Sequence, residues 1–334
     1  MTTDIHRFDA AINPYGCSPA VVEALVAFAR GKEYRFYGDE DGAALRARLS
    51  ALYDLPADNF LVYNGCGEGL VWQLVASLLL ERGRLICPYP SYERFVEVAR
   101  RCASEIVEVP LEPGTWSLPV ERFIEEGRRT GARVALISSP NNPTGNLLLD
   151  RPALTALLDG LPDCLFIVDE AYAEYAGITF APWVRERPNL VVLKTFSKAY
   201  GLAGLRIGYV AAHAGVAEKM ARMRVPWCVD SMALAAAETA LGDQAYLRDV
   251  VSRIAADSAA LREGLAALPG FSPYPSAANF FLVRVDGLDP SRLHAHLASH
   301  RVRVRTRPDF PGTIRVTSMT PEDNRTLLDV LARA

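Results

Sequence analysis

Short apolar runs bounded by turn residues recur through the middle of the chain: "RLIC" from 84, "VALISS" from 134, "CLFIVDE" from 164, "NLVVLKTF" from 189 and "RIGYVAA" from 206. Charged or alanine-rich stretches with helical spacing separate most of them. Near-continuous apolar strands alternating with helices predict an α/β fold whose mostly parallel sheet is covered by helices on both faces. In such a sheet ligands gather where the strands end, so the polar residues that follow these runs become candidate site residues.

The two ends of the chain carry other patterns. "SPAVVEALVAFARG" predicts an amphipathic helix with Ser18 as N-cap, Pro19 at its first position, Val21, Leu25 and Phe28 on one face and Gly31 as a stop. From 232 to 267 an alanine-rich stretch of helical period, broken near Gly242, leads out of the sheet region. After it, "NFFLVRV", "HRVRVRT" and "TIRVTSM" alternate like half-buried strands. The expected organisation is a large domain over 36–231 and a smaller α+β domain built from 1–35 and 232–334.

Composition narrows the function. A chain of 334 residues, half of them apolar, buries a large core, and a formal net charge of -3 offers no basic surface to nucleic acid or an anionic membrane. The six cysteines are scattered without a CxxC pair or histidines at ligand spacing, which argues against disulfides and metal and for a reducing, cytoplasmic compartment. His294, His296 and His300 in "SRLHAHLASH" do not converge on one face. The start "MTTDIHRFDAAINP" lacks a basic-then-apolar leader, and no stretch approaches the ~20 apolar residues of a membrane span. Small-molecule chemistry is the expectation that remains.

Four strand-end stretches then line up: "NGCGEG" at 64–69, "SSPNNPTGN" at 138–146, "VDEAYAEY" at 168–175 and "TFSKAYGLAGLR" at 195–206. Singly each has a structural explanation, as a glycine turn, a proline turn or a helix cap. Together they place an amine (Lys198), a carboxylate (Asp169), amides and a glycine-rich loop at neighbouring strand ends.

In order and content these stretches resemble the fold-type-I pyridoxal-phosphate enzymes, in the aminotransferase branch that contains histidinol-phosphate aminotransferase, and the likeness runs from "INPYGCSP" to "IRVTSM". The resemblance implies an aspartate-aminotransferase-like fold and pyridoxal 5'-phosphate as cofactor. Lys198 matches the lysine that binds the cofactor covalently, Asp169 the carboxylate beside its ring nitrogen, and Tyr172 and Asn142 the donors to its phenolic oxygen. Cys66 and Gly67, at the start of a helical stretch, with Ser197 and Arg206, match the phosphate cradle. Tyr92 matches the aromatic on the ring face, and Tyr37 the residue that reaches the phosphate of the other subunit, which implies a homodimer with shared sites.

At the substrate end the resemblance gives Arg315 to an acidic group, Asn13 and Tyr15 to the approach from the N-terminal side, and Asn142 to both cofactor and substrate. Arg301, Arg303 and Arg305 alternate onto one face, where Arg305 matches a second anion-binding arginine or the strand is a charged, solvated edge. Two departures bear on the substrate. The chain begins only a few residues before "INP", so the family's N-terminal arm is not expected, and Trp227 stands where the branch has a tyrosine in the pocket wall. The implied reaction moves an amino group from an amine or amino acid to a 2-oxo acid in two half-reactions, hence ping-pong kinetics. A threonine-phosphate decarboxylase shares every cofactor residue and is the alternative; a non-catalytic pyridoxal-phosphate-binding sensor is a third reading.

Overall fold

The computed structural model describes residues 5–65, 83–101, 105–307 and 310–334. Among the described residues the strands form two sheets. A short first strand, β1 (His6–Phe8), belongs to the smaller sheet. The next seven, β2 (Phe60–Asn64), β3 (Arg84–Tyr89), β4 (Glu105–Pro110), β5 (Ala132–Ser138), β6 (Leu165–Asp169), β7 (Leu190–Thr195) and β8 (Ile207–Ala212), form the larger. Their order is β2-β8-β7-β6-β5-β3-β4; neighbours from β7 to β4 run parallel, and β8 runs antiparallel to β7 and β2.

Side chains alternate across a strand, so a sheet covered on both faces needs apolar residues at every position. Phe166, Val168, Leu190 and Val192 enter one core cluster, while Ile167, Val191 and Leu193 enter the cluster on the opposite face. Lys194 continues the first set and is therefore buried. Its ammonium lies 2.9 Å from Glu174 Oε1 and 3.3 Å from Glu170 Oε2. Glu170 also accepts from the Phe180 amide at 2.6 Å and the Thr179 hydroxyl at 2.5 Å, which ties the segment after β6 to β7. A buried ammonium without such partners would cost several kcal/mol.

The remaining strands, β9 (Phe271–Pro273), β10 (Phe280–Val285), β11 (Val302–Thr306) and β12 (Thr313–Thr317), complete the smaller sheet in the order β1-β11-β12-β10-β9. Ile314 and Val316 point into its core with Phe281, Val302 and Leu327. By parity Arg315 points the other way, and it stands in register beside Arg305 of β11. Arg301 precedes β11 with a positive φ of 56°, so it does not continue the arginine face expected from the alternation.

The helix predicted around Val21 spans Pro19–Gly31, with Ser18 Oγ accepting from the Ala20 amide at 3.2 Å. Its placement differs from the expected division. Val21 lies in the core of the larger sheet, with Leu45 and Phe60, and so do Ala233, Leu234 and Ala237 of helix Ser231–Gly242. The break predicted near Gly242 falls at Asp243, which caps the following helix Gln244–Ala267 through the Tyr246 amide. No helix among the described residues is long and apolar enough to cross a membrane.

Candidate active site

Parallel neighbours bring their C-terminal ends to one edge of the sheet. Thr195 ends β7, Asp169 ends β6 and Ser138 ends β5, so Lys198, Asp169 and Asn142 converge although they are far apart in sequence. They line a cleft of about 420 Å³ whose far wall is the arginine-bearing face of the smaller sheet.

The Lys198 loop is braced from below. Asn13 Nδ2 donates to the carbonyl of Ala199 at 2.8 Å and to that of Gly16 at 2.9 Å, while Asn13 Oδ1 accepts from the Tyr15 amide at 2.9 Å. Gly201 has φ +73°, and a Cβ there would lie 2.5 Å from the backbone carbon and oxygen of Gly16. Gly201→Ala should therefore cost about 1–3 kcal/mol of stability through overpacking and a left-handed backbone, a loss visible in the denaturant midpoint of unfolding. A cost below about 0.5 kcal/mol would show that this contact relaxes freely. With its brace in place, the Lys198 ammonium donates to the Ala10 carbonyl at 3.1 Å and sits 5.5 Å from the centre of the Tyr172 ring.

Asp169 is 8 % exposed. Burial pushes its pKa up to about 6 against the hydrogen bonds that favour its anion, from Ser138 Oγ at 3.2 Å and the Ala171 amide at 3.1 Å. Tyr172 is buried edge-on against Phe280, with ring centres 5.0 Å apart. Asn142 offers its Oδ1 to Arg315 Nη1 at 2.7 Å, which leaves its amide hydrogens directed elsewhere.

Arg315 is 7 % exposed and lies over Phe280, its guanidinium carbon 4.9 Å from the ring centre. Its Nη2 donates to the Asp9 carbonyl at 2.6 Å, and its buried Nε has no partner among the described residues. Burial holds the pKa of this guanidinium below its ordinary value. Arg305 also lines the cleft, paired with Glu93, and Arg307 lies beside it. Glu93 and Arg307 were not among the candidates from sequence. Their signals were adjacency to Tyr92 and the same two-residue spacing that selected Arg305.

Asn13 and Tyr15, expected at the substrate, do not line the cleft. Asn13 spends its amide on the brace just described. The Tyr15 hydroxyl donates to Asp257 Oδ2 at 2.6 Å on helix Gln244–Ala267, and burial with this bond pushes its pKa up to about 12. Asp9, Ala10 and Ile12 line the cleft in their stead, and the carbonyls of Asp9 and Ala10 accept from Arg315 and Lys198, a role that leaves no side-chain signal. Trp227 does not form the cleft wall either: it is 46 % exposed, donates to the Gly38 carbonyl at 3.2 Å and packs on Tyr37, itself 87 % exposed.

On the phosphate side, Ser197 is buried and Arg206 Nη1 lies 3.5 Å from its Oγ; both line the cleft. Arg206 has φ +50°, and its carbonyl accepts from the Gly65 amide, joining the entry to β8 to the end of β2. Cys66 and Gly67 lie outside the described residues. Tyr92 lines the cleft and meets Phe95 edge-on at 5.1 Å.

An amine just beyond a strand end, a buried carboxylate whose pKa burial raises, an amide, a phenol and a buried arginine line one cleft. The sequence pattern of aminotransferase class I and II matches residues 3–331. The chain belongs to the class I and II aminotransferases. This aminotransferase is 39% identical over 336 residues to the histidinol-phosphate aminotransferase of Roseiflexus castenholzii, covering 98% of this chain and 89% of that protein. It is 36% identical to the chloroplastic histidinol-phosphate aminotransferase of Nicotiana tabacum, covering 98% and 78% respectively. Among solved structures, the histidinol-phosphate aminotransferase of Sinorhizobium meliloti in complex with pyridoxal-5'-phosphate superposes with a TM-score of 0.89 at 26% identity, over 97% of this chain and 89% of that one. The L-threonine-O-3-phosphate decarboxylase of Porphyromonas gingivalis gives 0.84 at 25% identity over 98% of both chains.

The aminotransferase uses pyridoxal 5'-phosphate, and its residues fit that group. A carboxylate buried with few neutralising neighbours calls for a cation, which a protonated ring nitrogen supplies. The fold is that of the fold-type-I enzymes, as the resemblance implied.

Proposed function

We propose that the enzyme moves the amino group of L-histidinol phosphate to a 2-oxo acid. The observation that carries this reading is Arg315: a buried guanidinium across the cleft from Lys198, with Nε unpartnered among the described residues, calls for an anionic group on the substrate. The relatives named for histidinol phosphate support the choice of amine.

When bound, pyridoxal 5'-phosphate supplies an electron sink for the carbon next to the substrate nitrogen. Lys198 would hold the cofactor through Nζ, and the same amine is placed to carry a proton to and from that carbon. Asp169 would pair with the ring nitrogen. Tyr172 and the amide of Asn142 would donate to the phenolic oxygen, and Tyr92 would cover a ring face. Ser197 and Arg206, with Cys66 and Gly67, would receive the phosphate. Arg315 takes the anionic group of the substrate and so orients the reacting bond. The active assembly in this reading is a homodimer: Tyr34, Phe36, Tyr37, Val225 and Trp227 present exposed apolar surface, and a partner would bring Tyr37 toward the neighbouring phosphate.

The test is a half-reaction. Cofactor-loaded enzyme mixed with L-histidinol phosphate and no oxo acid should release about one oxo product per site and shift the cofactor absorbance. Arg315→Lys should raise KM about 10- to 100-fold, because an ammonium cannot reproduce a buried guanidinium fork and charged hydrogen bonds contribute roughly 1.5–3 kcal/mol. Release of carbon dioxide from O-phosphothreonine, with no oxo product from histidinol phosphate, would replace this reading by the decarboxylase.

A further inference from the structure

The ladder between β6 and β7 stops short of Tyr172. Its last partners are Asp169 and Leu193, and the Glu170 amide donates to the Leu193 carbonyl at 2.9 Å. Beyond that bond the chain turns through Tyr172 into the short helix Ala173–Ala176. Hydrogen bonds of the backbone there are local: the Ala171 amide meets the Asp169 carboxylate, the Ala173 amide the Glu170 carbonyl, and the Tyr175 amide the Tyr172 carbonyl. None of these reaches β7, the strand that leads to Lys198. Apolar contact seats the Tyr172 ring against Ala11, Ala278 and Phe280, which belong to segments of the smaller sheet.

A side chain continues where the ladder ends. Lys194 follows Leu193 on β7, is buried, and its ammonium lies 2.9 Å from Glu174 Oε1 and 3.3 Å from Glu170 Oε2. These two carboxylates bracket Tyr172 in sequence. Glu170 has other donors in the Thr179 hydroxyl and the Phe180 amide. Glu174 depends on Lys194, since its Oε2 is buried without a partner among the described residues. Apolar residues in place of a buried ion pair are often neutral or stabilising, so stability alone gives no reason for a charge here. What an ion pair adds is a fixed distance and direction.

We propose that Lys194 is a positioning residue: through Glu174 it carries the alignment of β6 with β7 past the end of the ladder and sets the Tyr172 hydroxyl relative to the Lys198 loop. Hydrogen bonds weaken steeply with angle, and a misplacement of about 1 Å at a positioned group can cost roughly 10²-fold in rate. The inference rests on the reading of Tyr172 as a donor to the cofactor's phenolic oxygen.

Lys194→Met would leave Glu174 buried without a cation, so the test changes Glu174 and keeps Lys194 paired with Glu170. The probe is pyridoxamine 5'-phosphate, which makes no covalent bond to Lys198, titrated by fluorescence against the whole chain freed of cofactor. Glu174→Leu should weaken its binding about tenfold, the scale of one hydrogen bond to an ionised oxygen. Glu174→Gln, whose amide oxygen still accepts from Lys194, should stay within about twofold of the wild type. In a Tyr172→Phe background Glu174→Leu should cost less than about twofold, because the hydroxyl it positions is gone. A merely structural role would lower the urea midpoint of Glu174→Leu without this dependence on Tyr172. Binding by Glu174→Leu as tight as wild type, an equal loss in both backgrounds, or a loss in Glu174→Gln as large as in Glu174→Leu would each overturn the proposal. Wild-type affinity in Tyr172→Phe itself would instead sink the reading of Tyr172 on which it rests.

Discussion

Replacing Lys198 by alanine should lower the amino-transfer rate by at least about 10³-fold while the protein stays folded. General acid–base catalysis by a positioned group contributes about 10²- to 10⁴-fold, and Lys198 adds covalent attachment of the cofactor to that role. The structural loss is small by comparison. Among the described residues the ammonium makes one hydrogen bond, to the Ala10 carbonyl, and lies over the Tyr172 ring at the margin of an open cleft where water can take its place. The loop itself is held by Asn13, Gly201 and the Leu202 amide bound to the Phe196 carbonyl at 2.9 Å, none of which involves the lysine side chain. Stability should shift by no more than about 1 kcal/mol. Single-turnover kinetics beside a thermal melt separate the two effects. Activity within tenfold of wild type would remove Lys198 from the mechanism.

Replacing Asp169 by asparagine should act in opposite directions on activity and on the stability of the cofactor-free protein. An amide cannot hold a proton on the ring nitrogen by charge, and losing one aligned electrostatic partner costs about 10²- to 10³-fold in rate. In the cofactor-free chain the carboxylate is a burden. Its pKa is raised to about 6 from 3.8, so the fold prefers the protonated form. Its contribution to stability is fully present below about pH 4 and is lost as pH rises through 6. The difference of about two pKa units corresponds to roughly 3 kcal/mol above pH 6. The asparagine variant should lack this dependence, so that variant minus wild type grows from pH 4.5 to 7 and then levels. Urea unfolding of both cofactor-free proteins at several pH values reads it directly, and parallel pH curves would contradict the burial argument. The cofactor's cation would offset that burden, which couples loading to stability.

How much of this was legible beforehand depended on the kind of signal. The runs from 84, 134, 164, 189 and 206 are strands because a two-faced sheet imprints uninterrupted apolar sequence. The strands Phe60–Asn64 and Glu105–Pro110 carry weaker signals: the first runs into the glycine-rich "NGCGEG", and the second is an edge strand whose short apolar stretch is interrupted by Glu105 and Glu108, three residues apart, so that no two-residue period shows. β1 and β9 are three residues long, too short for any period to show. The resemblance gives Asn13 and Tyr15 to the substrate, and their hydrogen bonds turn them instead to the lysine loop and helix Gln244–Ala267.

By itself the sequence determined the α/β class, the helix at Pro19–Gly31 and which polar residues follow the strands, because local periodicity and parallel topology dictate which residues reach the C-terminal edge of the sheet. Tertiary structure alone decided which arginines face the cleft and what already pairs with them. Glu93 and Arg305 are separated by 212 positions, and no local pattern encodes a contact between two elements whose meeting depends on how the smaller sheet closes over the larger.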